Sequence, residues 1–148
     1  MSTKIRLHWR TALDPQHLRH GIHLRVIRLF APVSFRESEG WSDPYYAIVD
    51  TGSPFSVLPK TIWEKFPQID FLSELVPLRG LGQGTLMATL AKIELTFLDT
   101  RKDLVTLSIK AYLAEDDAVP LLFGIEDLLT SARLVCDYPN SKAFLQIA

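Results

Sequence analysis

Ala47-Ile48-Val49-Asp50-Thr51-Gly52-Ser53 is the stretch on which the reading of this chain turns. Apolar, partly β-branched residues make the end of a buried strand, and that strand runs straight into an acid, a hydroxyl and a glycine. A carboxylate at the end of a buried strand must be hydrogen-bonded, paired or used. Two accounts fit these residues. In one, Asp50 makes an Asx-turn that closes a hairpin. In the other, the turn amides hold a working carboxylate, and Gly52 lets a ligand or a second chain come close to the backbone. The motif occurs once in 148 residues. If the chemistry needs two such acids, the second comes from a partner subunit.

Outward from this loop the chain reads as short strands. Tyr45–Val49 leads in, and Phe55–Leu58 reads as the return strand. Upstream, Ile22, Leu24, Val26 and Leu29 predict a strand over 22–30, and 31–43 read as a polar connection ending in Asp43-Pro44. Ile5–Trp9 alternates weakly enough for one short strand. Downstream, Pro59 opens a helical turn over Thr61–Phe66 that Pro67 must end. Leu72–Leu78 is a further strand, and residues 80–84 hold three glycines. Lys92–Phe97 alternates, Asp99–Asp103 turns, and Val105, Leu107 and Ile109 alternate on the way back. Leu121-Leu122-Phe123 is a second buried run stopped by glycine, Gly124. Glu126–Ala132 predicts a short helix, and Leu134–Cys136 and Ala143–Ile147 predict strands around a turn at 137–140. Many short strands, few helical turns and no βαβ spacing predict an all-β domain closed on itself.

Bulk properties narrow the function. Sixteen basic and seventeen acidic residues leave a net charge of -1, which provides no bulk attraction to nucleic acid or anionic membrane. Lys4, Arg6, Arg10, Arg19, Arg25 and Arg28 crowd the start while Glu115, Asp116 and Asp117 sit late; the basic run reads as a solvated face. Cys136 is the only cysteine, so no intrachain disulfide forms and a reducing, cytoplasmic setting is expected. No apolar run is long enough for a membrane span. His17, His20 and His23 share a spacing of three, but Gly21 interrupts them and one thiol does not complete a zinc site, so neither metal nor cofactor is expected.

The run 47–53 followed by Phe55-Ser56-Val57-Leu58 resembles the catalytic loop of the aspartic proteases, most closely the retropepsins. Val119-Pro120-Leu121-Leu122-Phe123-Gly124-Ile125-Glu126-Asp127-Leu128-Leu129 resembles that family's second apolar-glycine segment and short helix. Leu134–Asp137 and Lys142–Phe144 resemble its closing hairpin. The resemblance runs from about residue 22 to 148 and implies a closed acid-protease barrel: a single lobe with one or two short helices, active as a homodimer. Residues 1–20 then form an N-terminal extension and 21–148 the retropepsin-like domain. By the same resemblance Asp50 is the catalytic acid, Thr51 turns its hydroxyl toward the other subunit's loop, and Gly52 presents backbone to substrate. Ser53 hydrogen-bonds the carboxylate, and Gly124 packs against the loop where strands cross. The stretch Arg79–Gly84, with Gly80, Leu81 and Gly82, falls where a flap over bound peptide is expected. The chain departs from the family at Phe123, where a small aliphatic residue is common, and at Ile125 and Glu126, which stand where the family places an arginine and a polar residue.

The implied activity is an aspartic endopeptidase acting on peptide or protein substrates through a water activated by an Asp50 dyad shared by two subunits. The alternative is a non-catalytic peptide-binding or assembly module of the same fold. A third possibility is a monomer in which Asp127 or Asp137 approaches Asp50 within one chain.

Overall fold

The computed structural model describes residues 2–79 and 84–148. In chain order the elements are β1 (Thr3–Arg6), β2 (His8–Leu13), the single-turn helix α1 (Pro15–Leu18), β3 (Arg25–Glu37), β4 (Gly40–Trp41), β5 (Tyr45–Val49) and β6 (Val57–Leu58). After them come helix α2 (Lys60–Trp63), β7 (Asp70–Leu78), β8 (Leu86–Leu98), β9 (Leu104–Ala114), β10 (Leu122–Phe123), a 3₁₀ turn at Leu129–Ser131, β11 (Ala132–Asp137) and β12 (Lys142–Ile147).

Pairing closes six of these strands into a ring. β3 pairs with β5, β5 with β10, β10 with β6, β6 with β9, β9 with β8, and β8 returns to β3 through Val33↔Phe97, Ser34↔Thr96 and Phe35↔Leu95. Closure removes the free edges that a six-stranded open sheet would expose. β2, β4 and β7 lie outside the ring, and β1-β12-β11 form a separate three-stranded sheet. Phe35, Phe97, Phe123, Leu58 and Leu95 fill the barrel, with the Phe97 and Phe123 rings edge to face at 5.7 Å. Ile5 and Leu145 of the small sheet belong to the same core.

The structure departs from the sequence expectations in four places. The predicted strand over 22–30 begins at Arg25 and continues to Glu37, through most of what reads as a polar connection. The polar residues of 31–43 and Asp43-Pro44 give that misleading signal, and Pro32 also argues against a strand because it removes a ladder donor. Here its missing N–H is harmless: β2 pairs with β3 up to Phe30, β8 takes over on the same side from Val33, and Pro32 falls in the gap. Second, β8 starts at Leu86 rather than Lys92; Ala88 and Ala91 there are fully buried but lie on opposite faces and are too small to mark a hydrophobic period. Third, the helix expected over Glu126–Ala132 is only the 3₁₀ turn, and Asp127 ahead of it sits at φ 64°, outside helical space. Fourth, the strand expected over Ile5–Trp9 breaks at Leu7 into β1 and β2, which belong to different sheets. The boundary drawn at residue 20 therefore crosses the β2–β3 hairpin, and β1 pairs Ile5 with Leu145.

Asp99 fastens the small sheet to the barrel. It sits in the β8–β9 turn with its side chain fully buried, accepting from the Arg6 N–H at 2.8 Å, the Arg6 guanidinium at 2.5 Å and the Arg101 N–H at 3.2 Å. Burial alone would raise its pKa, but the Arg6 and Arg101 amides and the Arg6 charge outweigh it and hold the carboxyl below its ordinary 3.8. The unfolded chain therefore takes up this proton first as pH falls. Asp99 contributes its full stabilisation above about pH 4 and loses it as pH drops through the folded value. Asp99→Asn is expected to lower stability by about 1–3 kcal/mol at neutral pH and to flatten the acid limb of the stability profile. Urea melts of both proteins across that range check it; parallel profiles would remove Asp99 from the acid response.

Candidate active site

The loop at 50–56 is held by β10. β10 lies parallel to β5 through Leu122↔Ile48 and Phe123↔Val49, and antiparallel to β6 through Leu122↔Val57, so it separates the two strands that flank the loop. The Asp50 amide donates to the Phe123 carbonyl at 2.9 Å. The chain beyond β10 binds the loop's other limb: the Ile125 N–H donates to the Ser53 carbonyl at 2.9 Å and the Glu126 N–H to the Pro54 carbonyl at 3.0 Å. Gly124 sits at this crossing. A Cβ there would lie 2.3 Å from the Phe55 carbonyl oxygen and 2.5 Å from that of Ser53.

Asp50 is half-buried, and its Oδ1 accepts the Gly52 N–H at 2.8 Å. This is an Asx-type contact, so the turn chemistry and a positioned carboxylate coexist. A Cβ on Gly52 would stand 3.2 Å from the same oxygen, which keeps this position small. Thr51 and Gly52 are exposed. Ser53 requires a correction: instead of bonding the carboxylate, its buried hydroxyl donates to the Phe55 carbonyl at 2.7 Å and rigidifies the loop. The carboxylate's partner inside the loop is the Gly52 amide, because the turn directs that N–H back toward Asp50 and the Ser53 side chain forward.

Ser56 was not singled out from sequence, yet it is fully buried and ties three elements together. Its hydroxyl accepts from the Gly124 N–H at 3.1 Å, and its carbonyl accepts from the Tyr112 N–H at 2.9 Å. The available signal was a lone hydroxyl in the apolar run Phe55–Leu58, where burial demands a partner.

A cleft of about 570 Å³ opens over the loop. Asp50, Gly52 and Ser53 line one side, Pro54, Phe55 and Val57 the wall, and Pro77, Leu78 and Arg79 approach from the end of β7. β7 and β8 are the arms of a hairpin, paired from Leu75↔Thr89 to Leu78↔Leu86. Gly80, Leu81 and Gly82, expected in the flap, lie outside the described residues. Among the described residues Asp50 is the only carboxylate lining the cleft. Asp127 accepts from the Lys110 amide at 2.8 Å, and Asp137 is bonded to Asn140, so both are engaged elsewhere. Among the described residues no three metal-ligating side chains converge, and no helix is long and apolar enough to cross a membrane.

No protein-family model matches the chain, and no curated protein matches it. Solved structures do. EIAV protease complexed with the inhibitor HBY-793 aligns with a TM-score of 0.51 and 18% identity, over 74% of this chain and 93% of that one. A retropepsin-like aspartic protease from Rickettsia conorii aligns with a TM-score of 0.50 and 13% identity, over 99% of this chain and 96% of that one. The closed ring, the strand inserted between the limbs of the Asp50 loop and these two alignments agree: the chain has the retropepsin-like aspartic protease fold.

Proposed function

We propose that this chain is an aspartic endopeptidase that works as a homodimer, with one Asp50 from each subunit forming the dyad. The observation that carries the proposal is the lone Asp50 carboxylate, held by its own turn at the side of a peptide-sized cleft among apolar walls. Two carboxylates within hydrogen-bond reach share one proton, since both cannot ionise side by side. The ionised member draws a proton from a bridging water, which attacks the peptide carbonyl. The protonated member donates to the carbonyl oxygen and later helps protonate the leaving amine. The resulting pKa values belong to the pair. In this reading exposed Thr51 reaches across to the facing loop. The lone Cys136 fits a reducing compartment such as the cytoplasm.

The test is hydrolysis of a peptide library between about pH 4 and 7, where the upper ionisation of a shared carboxylate pair can fall, with a transition-state mimic of aspartic proteases as control. Mimic-sensitive cleavage whose specific activity falls on dilution supports the dimeric enzyme. Peptide binding without cleavage supports the non-catalytic module, and dilution-independent activity a monomer. Thr51→Ala is expected to weaken self-association about 5- to 10-fold, the loss of one or two interfacial hydrogen bonds, while the melting temperature of the isolated subunit is unchanged. Sedimentation at several concentrations measures this, and an unaltered monomer–dimer equilibrium removes Thr51 from the interface.

A further inference from the structure

We infer that Arg79 makes this cleft selective for substrates carrying an acidic side chain within two positions of an apolar one. The inference rests on the peptidase reading of the cleft and specifies its substrate class. The apolar half of the requirement comes from the walls. Phe55 lines the cleft and is 40% exposed, while its ring is braced in a T-shaped contact with Tyr112 at 5.2 Å. Pro54 and Pro77 add walls of restricted backbone, and Leu78 adds a further aliphatic surface. Such a surface takes a leucine- or phenylalanine-like side chain with little ordering of the protein.

The acidic half comes from charge. Arg79 is exposed, stands one residue beyond β7 and is the only cation lining the cleft among the described residues. Among the described residues the ion pairs are Arg6–Asp99, Asp14–His17 and Lys110–Asp127, and Arg79 is in none of them. Arg79 thus brings to the cleft a positive charge and a guanidinium fork suited to a planar, bidentate partner, which a substrate carboxylate supplies. The same charge offsets the repulsion that an acidic substrate would meet from the Asp50 pair, which keeps one negative charge when it shares one proton. An extended peptide places alternate side chains on one face. An apolar side chain against Phe55 thus leaves its near neighbours within reach of the β7 end.

The experiment compares kcat/KM for matched peptides that differ only by Glu, Gln or Lys one or two positions from a leucine or phenylalanine at the cut. Wild type is expected to favour Glu about two- to fivefold at low salt, the size of an exposed, well-oriented ion pair, with the ratio shrinking toward one at about 0.5 M salt. Arg79→Gln is expected to abolish the ratio, and Arg79→Glu to invert it and favour Lys peptides; unchanged melting temperatures show that both variants fold. Cleavage without acidic preference, or a preference that survives in Arg79→Glu, overturns the role of Arg79 and leaves the peptidase reading standing. Failure of wild type to cleave any peptide in the series or in the broader library overturns the peptidase reading, and this inference with it.

Discussion

Gly124→Val is expected to leave no stably folded protein. The side chain would begin 2.3 Å from the Phe55 carbonyl oxygen, 2.5 Å from that of Ser53 and 2.7 Å from the Phe55 carbonyl carbon. All three are backbone atoms, so no rotamer change can yield the space. Nor can the loop retreat, because the N–H groups of Ile125 and Glu126 bind the Ser53 and Pro54 carbonyls and β10 is paired on both sides. Overpacking of ordinary cores costs about 1–3 kcal/mol. A clash against pinned backbone exceeds that range and offsets the roughly 5–15 kcal/mol that typically separates a domain from its unfolded state. Gly52→Ala is the contrasting substitution, since its Cβ meets only the Asp50 side chain, at 3.2 Å. Thermal melts by circular dichroism decide the matter. A Gly124→Val protein melting within a few degrees of the parent would mean that the strand crossing is looser than described.

Asp50→Asn is expected to reduce peptide hydrolysis at least about a thousandfold, in line with the loss of a group that acts in the chemical step. Asparagine keeps the Oδ1 that accepts the Gly52 N–H at 2.8 Å, so loop and fold are retained. It cannot hold the negative charge that draws a proton from water. Because both halves of the proposed dyad come from the same residue, the variant also acts on its partner. In a one-to-one mixture under subunit exchange, about a quarter of the dimers keep two carboxylates, by random pairing of two equal chains. Activity should therefore fall below the wild-type fraction. Loss in simple proportion to that fraction would point to subunits that work alone.

What the sequence disclosed follows from which residues carry an unambiguous signal. Val49-Asp50-Thr51-Gly52 and Leu122-Phe123-Gly124 stand out because an apolar run ends abruptly in residues that a strand would not choose. The β8–β9 hairpin is legible from Lys92 onward because Ile93, Leu95 and Phe97 alternate with Lys92, Glu94 and Thr96. Before Lys92 the same strand hides behind Ala88 and Ala91, which are buried without announcing it. The closure of the barrel hides behind Pro32, a residue that argues against a strand and sits in the one gap where it is harmless. At the site, the position of Asp50 was legible and the hydroxyl chemistry was not. Which of Ser53 and Ser56 serves the loop depends on where β10 crosses, and that crossing joins residues about seventy apart in the chain. Pro77, Leu78 and Arg79 enter the cleft through hairpin geometry, which no local pattern encodes.

The pairing of Thr3 with Ile147 and of Ile5 with Leu145 also sets an order of events during biosynthesis. β1 leaves the ribosome well before its hydrogen-bonding partner β12, because Ile5 pairs with Leu145. At about 5–20 residues per second, Ile5 and Leu7 wait for several seconds or longer with no strand to cover them. The ring from β3 to β10 can assemble in that interval, whereas the small sheet must close the longest loop in the chain and forms last. A nascent chain of this protein therefore offers a chaperone the apolar residues of β1 until translation has passed β12.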